Sequence, residues 1–368
     1  MRRLLQTTTP LLKTTFQEES SDGGDSDFHF CLQRSSYKDK DLPRRLRQMS
    51  NVKSFILDSN LYPQPKADWN EIPPELKAAL QHLIRLPTLE CLEIMEFRNI
   101  PASVLSASGI SELIIHHTNF SESDPHKLNN TPPSIVTRLK SFDFYTVPLS
   151  GIQALIRTKI SGNSPAIDFS SLNSLTVDLC DSNELAGFEE VMKASPNLEL
   201  LDCSVSLPNS LEEVSPSLAA NRSLKTLKIS LKVGDDLQDP LLGLPEALSM
   251  MSGKNGIENL IITVTVQPEN SCRTDGVWGR LDDALSRSSF HGLRHVSLTV
   301  IIFHDDIAFV GNSDTEISKE ELEEVEVFEE SDRRKLKEEL EKMGATQFSW
   351  LSNAYNIQFE FSVEVIPV

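Results

Sequence analysis

The chain has 368 residues, 39% hydrophobic and 24% charged, a composition that excludes both an unfolded polyelectrolyte and a membrane-embedded bundle. Its formal net charge of −19 is concentrated: residues 17–27 hold five acids and no base, and residues 304–332 hold twelve acids and one lysine, leaving about −3 for the body. No basic stripe compensates, which argues against a nucleic-acid partner.

The start, Met1-Arg2-Arg3-Leu4-Leu5, runs into Gln6-Thr7-Thr8-Thr9-Pro10, too polar for a signal-peptide core. No apolar run reaches the ~18 residues that span a bilayer. The expectation is an intracellular protein, cytoplasmic or nuclear, with no membrane partner. Residues 1–27 are expected to be a disordered acidic segment, since Glu18 to Asp27 has nothing to bury. A first strand is expected at Phe28–Leu32 and a short basic helix at Leu42–Met49.

From Val52 onward one pattern recurs, with apolar residues at offsets 0, +3 and +5. It occurs at Val52/Phe55/Leu57, Leu89/Leu92/Ile94, Ile110/Leu113/Ile115, Leu139/Phe142/Phe144 and Leu172/Leu175/Val177. It continues at Leu198/Leu201/Cys203, Leu224/Leu227/Ile229, Ile257/Leu260/Ile262 and Leu293/Val296/Leu298. Offsets +3 and +5 differ by two, so both side chains face one side of a strand. The nine copies start 21 to 37 residues apart. L-x-x-L-x-L at such intervals is the signature of leucine-rich repeats, and the longer intervals have room for a helix. An ordinary α/β domain with parallel strands is the other architecture compatible with the pattern. The usual Asn or Cys at offset +8 occurs only as Asn60 and Cys180, so the turn hydrogen bonds are expected to differ from copy to copy.

Between the strands, helices are expected at Pro73–Arg85, Leu149–Arg157, Asn183–Ala194, Leu244–Met251 and Val277–Ser286. The fold class is therefore α/β: an irregular leucine-rich-repeat-like solenoid over residues 28–303, strands on the inner face and helices on the outer. Residues 304–330 read as an acidic mobile insertion. Residues 331–368 read as a cap: a helix from Ser331 to Met343 stopped by Gly344, then a half-buried strand carrying Ile357, Phe359, Phe361 and Val363.

Catalytic and cofactor motifs are missing: there is no G-x-G-x-x-G, phosphate-binding loop, G-x-S-x-G or H-E-x-x-H. His116 and His117 are strand neighbours on opposite faces, and His304-Asp305-Asp306 reads as a charged loop start. The five cysteines are scattered and read as reduced small hydrophobes. No catalytic residue, cofactor or metal site is expected. If offsets +3 and +5 face the core, their neighbours line the concave face. Glu93, Met95, Asp143, Tyr145, Leu200, Asp202, Thr226 and Lys228 are the candidate partner-binding residues, a mixed surface with no single-sign field.

Ile72-Pro73-Pro74-Glu75-Leu76 imitates the opening of an F-box, but one helix ends at Pro87 and a repeat strand follows at once. Trp69 to Leu80, running into Leu86-Pro87-Thr88-Leu89, together with Phe97-Arg98-Asn99-Ile100-Pro101, resembles the F-box/leucine-rich-repeat-like proteins of mushroom-forming fungi. The closing Gln347 to Leu351 and Ile357 to Phe361 resemble the same family, over roughly residues 50–368. The resemblance implies a non-enzymatic repeat domain that presents protein substrates to a ubiquitin ligase. No F-box precedes the repeats, so binding of a Skp-type adaptor is not expected from this chain. An enzyme with an unrecognised site, or a truncated gene product without a partner, are the alternatives.

Overall fold

The computed structural model describes residues 3–4, 16–20, 26–32, 36–59, 66–122, 136–160, 164–206, 210–232, 240–254, 256–266, 276–287, 290–303 and 319–366. They form a mixed α/β, solenoid-like protein in two compact units, Met1–Asp178 with Ser182–Leu198, and Leu179–Asp181 with Glu199–Val368.

In the first unit the strands are β1 (Arg3–Leu4), β2 (Phe16–Ser20), β3 (Ser26–Cys31), β4 (Ser54–Asp58), β5 (Ala67–Asp68), β6 (Cys91–Met95) and β7 (Phe97–Arg98). There follow β8 (Ile100–Pro101), β9 (Glu112–His116), β10 (Phe120–Ser121), β11 (Thr137–Arg138), β12 (Ser141–Tyr145), β13 (Ile167–Asp168) and β14 (Ser174–Leu179). The helices are α1 (Leu42–Gln48), α2 (Pro74–Ile84), α3 (Leu149–Arg157) and α4 (Ser182–Ala194). The main sheet runs β1-β2-β3-β4-β6-β9-β12-β14, antiparallel up to β3 and parallel from there on. The remaining short strands pair parallel, two by two, in the turns.

The second unit is β15 (Leu200–Val205), α5 (Ser210–Ala220), β16 (Thr226–Lys232), α6 (Leu244–Met251), β17 (Asn259–Val266), α7 (Gly279–Arg287) and β18 (His295–Ile302). It closes with α8 (Lys319–Gln347), α9 (Ser349–Asn353) and β19 (Gln358–Val365). All five strands pair in parallel with their sequence neighbours. Parallel neighbours need a crossover between them, and α5, α6 and α7 supply it here.

The recurrent apolar positions form the core. In all nine copies offsets 0, +3 and +5 are buried, with none more than 3% exposed. Alternation sends one set of side chains inward, and burying each is worth roughly 1.5–3 kcal/mol. Register stacks them: Phe28, Phe55, Leu92, Leu113, Phe142 and Leu175 form one row of the first unit. A backbone device repeats with the same period. The carbonyl at offset +1 of one copy accepts two N–H groups of the next: Lys53 O from Glu90 and Cys91, Lys140 O from Asn173 and Ser174, Lys225 O from Glu258 and Asn259. This bifurcated contact locks each strand entry on its predecessor. Gly109 and Gly292 stand just before such entries, where an added Cβ would lie 3.3 Å from a carbonyl oxygen of the preceding copy.

Strand exits are irregular, as expected from the sparse Asn and Cys at offset +8. At offset +7 Glu96, His117 and Thr146 take left-handed backbone, φ 63°, 51° and 51°. Glu96 and His117 then donate their N–H groups to the carbonyls of His116 and Tyr145 in the next strand. Thr146 donates instead to the carboxylate of Glu184, 2.8 Å away in α4. Glu184 is itself buried, and its side chain takes the role that a strand carbonyl plays for Glu96 and His117. Asn60 lies outside the described residues.

Several expectations change. Residues 16–20, expected to be disordered, form β2 against β3. Helix α5 is an addition to the expected set, and Pro216 lies inside it. A proline at 216 cannot donate to the carbonyl of Glu212, and the Ser215 hydroxyl does so instead at 2.8 Å. The helix expected over 331–343 runs from Lys319 to Gln347, through Gly344. Gly344 is not a stop: an added Cβ there would collide with the Phe361 ring, so the glycine permits α8 to lie against β19. Residues 304–318 of the expected insertion lie outside the described residues; from Lys319 it is helical. Helix α9, also unanticipated, is seated on α7, where buried Asp282 accepts the Trp350 and Leu351 N–H groups at 2.9 Å each.

Candidate interaction face

In each parallel strand up to β18 the row alternate to the core is half-exposed, while the core row is buried. Helices therefore cover one face of the sheet, and among the described residues no element covers the other.

All eight expected site residues lie on this open face. In the first unit Glu93 and Asp143 share a row through Ile114, and Met95 and Tyr145 share the next through His116. The Tyr145 ring meets His116 and His117 edge-on, with centroids 6.2 and 4.9 Å away. In the second unit Leu200 stands opposite Thr226 and Asp202 opposite Lys228. Lys228 Nζ lies 3.6 Å from Asp202 Oδ2 with both side chains more than a third exposed, a pair worth at most about 1 kcal/mol.

The two units differ in charge. The second unit's face is mixed: Asp202, Lys228, Lys232, Glu360 and Glu364 occupy it with a row of hydroxyls, Ser204, Ser230, Thr263, Thr299 and Ser362, beside them. Thr299 and Ser362 are hydrogen-bonded at 3.1 Å. The first unit departs from the mixed surface expected of the sequence. On β3, β4, β6, β9, β12 and β14 the open positions include Asp27, Asp58, Glu93, Glu112, Asp143 and Asp178, two histidines, and no lysine or arginine. Four of those acids escaped the sequence reading, although offsets +2, +4 and +6 applied to every copy would have found all but Asp27.

The thiols on the face register that field. Burial pushes the Cys91 thiol up to about 11, with Glu112, Glu93 and Asp27 adding to it against a hydrogen bond with Ser54. Cys31 is raised by burial and by Asp58. Both are therefore protonated, poor nucleophiles at neutral pH. On the core side Cys203 is pushed to about 12, by burial first and Asp202 second.

The carboxylates do not converge. Among the described residues no three His, Cys, Asp or Glu side chains are grouped to hold a metal ion. On the helix side of the second unit an open hollow is lined by Pro245, Met250 and Ala284, its rim closed by Arg280–Glu246 and Arg287–Asp283 pairs. The hydroxyl in its lining, Ser249, donates to the Pro245 carbonyl at 2.8 Å. Among the described residues no helix is long and apolar enough to cross a membrane.

No family model matches this chain, and no curated protein matches it. Fold and face define an α/β, solenoid-like protein with an uncovered sheet face in each unit.

Proposed function

We propose that the chain is a non-enzymatic, leucine-rich-repeat-like binding module whose open sheet face recognises another protein inside the cell, in the cytoplasm or nucleus. The observation that carries this reading is the uncovered face itself. Its side chains recur about 4.8 Å apart from strand to strand and about 6.7 Å apart along each strand. An array at that spacing suits an extended protein surface better than a small molecule, which is held in a concave pocket. The role that the resemblance to fungal F-box/leucine-rich-repeat-like proteins implies is substrate recognition for a ubiquitin ligase. Adaptor docking is not part of the proposal: among the described residues before β4 the helical elements are a 3-10 turn at Ser36–Lys38 and the seven-residue α1.

A photo-crosslinking residue placed at Tyr145 or Thr226, and at Lys193 on the helix side as control, tests the face. Discrete crosslinked products in cell extract are expected from the first two positions and not from the third. Products from Lys193 alone would locate recognition on the helices and overturn the reading. For the adaptor, a stable one-to-one complex of this chain with a purified Skp-type protein would overturn its exclusion.

A further inference from the structure

The open face of the first unit combines two patterns. Its carboxylates are spread over three rows and six strands, and half-exposed aliphatic side chains stand between them. The middle row reads His29, Ile56, Glu93, Ile114, Asp143, Thr176, and the row beside it places Met95 between Asp58 and His116, with Tyr145 next. Lysines border the sheet, with Lys53 and Lys140 at the strand entries and Lys66 beyond the exits, where it pairs with Glu96 at 3.4 Å. His29 lies 3.7 Å from Asp58, on adjacent strands.

We infer that this face takes a Lys/Arg-rich extended segment of a partner protein, lying across the strands. The inference rests on the proposed role of the open face in protein recognition and adds the partner's chemistry. Lysine and arginine carry a long aliphatic stem below a charged head. A surface of Ile56, Ile114 and Met95 interleaved with acids matches both parts, whereas a purely acidic surface would match only the heads. The spacing fits as well. Glu93 and Asp143 are two strands apart in one row, about 9.6 Å at ~4.8 Å per strand. A polyproline-II segment returns to the same side every three residues, about 9.3 Å. Basic residues three apart would therefore meet Glu93 and Asp143. Tyr145, at the end of β12, adds a ring face of the kind that attracts a guanidinium or ammonium group. Nucleic acid and anionic lipid surfaces are repelled by the same field.

The test is fluorescence anisotropy of a labelled peptide with lysine at every third position, titrated with the full chain. Saturable binding is expected at low ionic strength. It should weaken at least about tenfold as salt rises from about 0.1 to about 1 M, which shortens the screening length from about 10 to about 3 Å. The double substitution Glu93→Gln/Asp143→Asn should weaken binding about tenfold and leave the circular dichroism melt unchanged, while Asp202→Asn on the other unit should change it less than about twofold. Bound peptide should also slow alkylation of Cys91 and leave Cys203 as it was. Failure to bind, equal binding of a peptide with glutamine in place of lysine, or binding indifferent to the double substitution would each overturn the inference. If the basic peptide fails while crosslinks from Tyr145 still capture a partner, the assigned chemistry is wrong and the recognition role stands. If crosslinks also come from the helix side alone, the recognition role falls first.

Discussion

Leu227 and Lys228 are neighbours in β16 that face opposite sides of the sheet, and replacing each by aspartate measures the two environments. Leu227 is fully buried, stacked between Leu201 and Leu260. Truncating a buried leucine costs about 2.7–5 kcal/mol, and an unpaired buried carboxyl adds desolvation of a few kcal/mol more. The sum, about 5 kcal/mol or above, is comparable to the whole stability of many domains. Lys228→Asp loses the exposed pair with Asp202 and sets two carboxylates side by side in solvent, a cost of about 1 kcal/mol or less after screening. Burial would raise the folded-state pKa of a carboxyl introduced at 227 above its unfolded value near 4. Such a group favours the fold at low pH and loses that contribution as pH rises through the raised value. The Leu227→Asp deficit should therefore grow with pH, while that of Lys228→Asp stays small. Urea unfolding followed by far-ultraviolet circular dichroism at about pH 6 and about pH 8 reads both. Equal midpoint shifts for the two variants, or a larger one for Lys228→Asp, would refute the assignment of the faces.

The Pro216 repair in α5 predicts a double-mutant cycle: Ser215→Ala should cost about 1 kcal/mol by orphaning the Glu212 carbonyl, and adding Pro216→Ala, which restores an N–H donor, should recover it. Asp282→Ala should destabilise the second unit by about 2 kcal/mol, because two N–H groups of α9 lose their charged acceptor; hydrogen exchange at Trp350 and Leu351 would speed up if this is right. Cys203, pushed to about 12, stays protonated in the fold while unfolded chains ionise near 8.5, so its contribution is whole below that value and is lost as pH rises towards 12. Cys203→Ala should flatten the alkaline fall in melting temperature between about pH 9 and 11, and an unchanged slope would refute the argument. Gly344→Ala gains about 1 kcal/mol of helix propensity but pushes a methyl into Phe361, and overpacking of about 1–3 kcal/mol wins; Phe361→Leu in the same chain should recover part of the loss.

Strand faces were legible in the sequence because alternation is a local code. Whether Leu201 or Asp202 is buried follows from the spacing of apolar residues within one short segment, and every copy obeyed it. Helices α2, α3, α4 and α6 were legible for the same reason, their apolar periods and boundary residues lying within a dozen positions. What failed locally was decided by packing. Ser215 on the Glu212 carbonyl accommodates Pro216 within α5, and Gly344 reads as a stop until the Phe361 ring is seen against it. Charge on the open face belongs to tertiary structure altogether. Asp58, Glu93, Glu112 and Asp143 are dispersed in sequence, each between two neutral residues, and only parallel pairing in register sets them on successive strands of one face. A local pattern specifies which way a side chain points; which other side chains it stands beside is specified by the order and register of the strands, and that order is a property of the folded sheet.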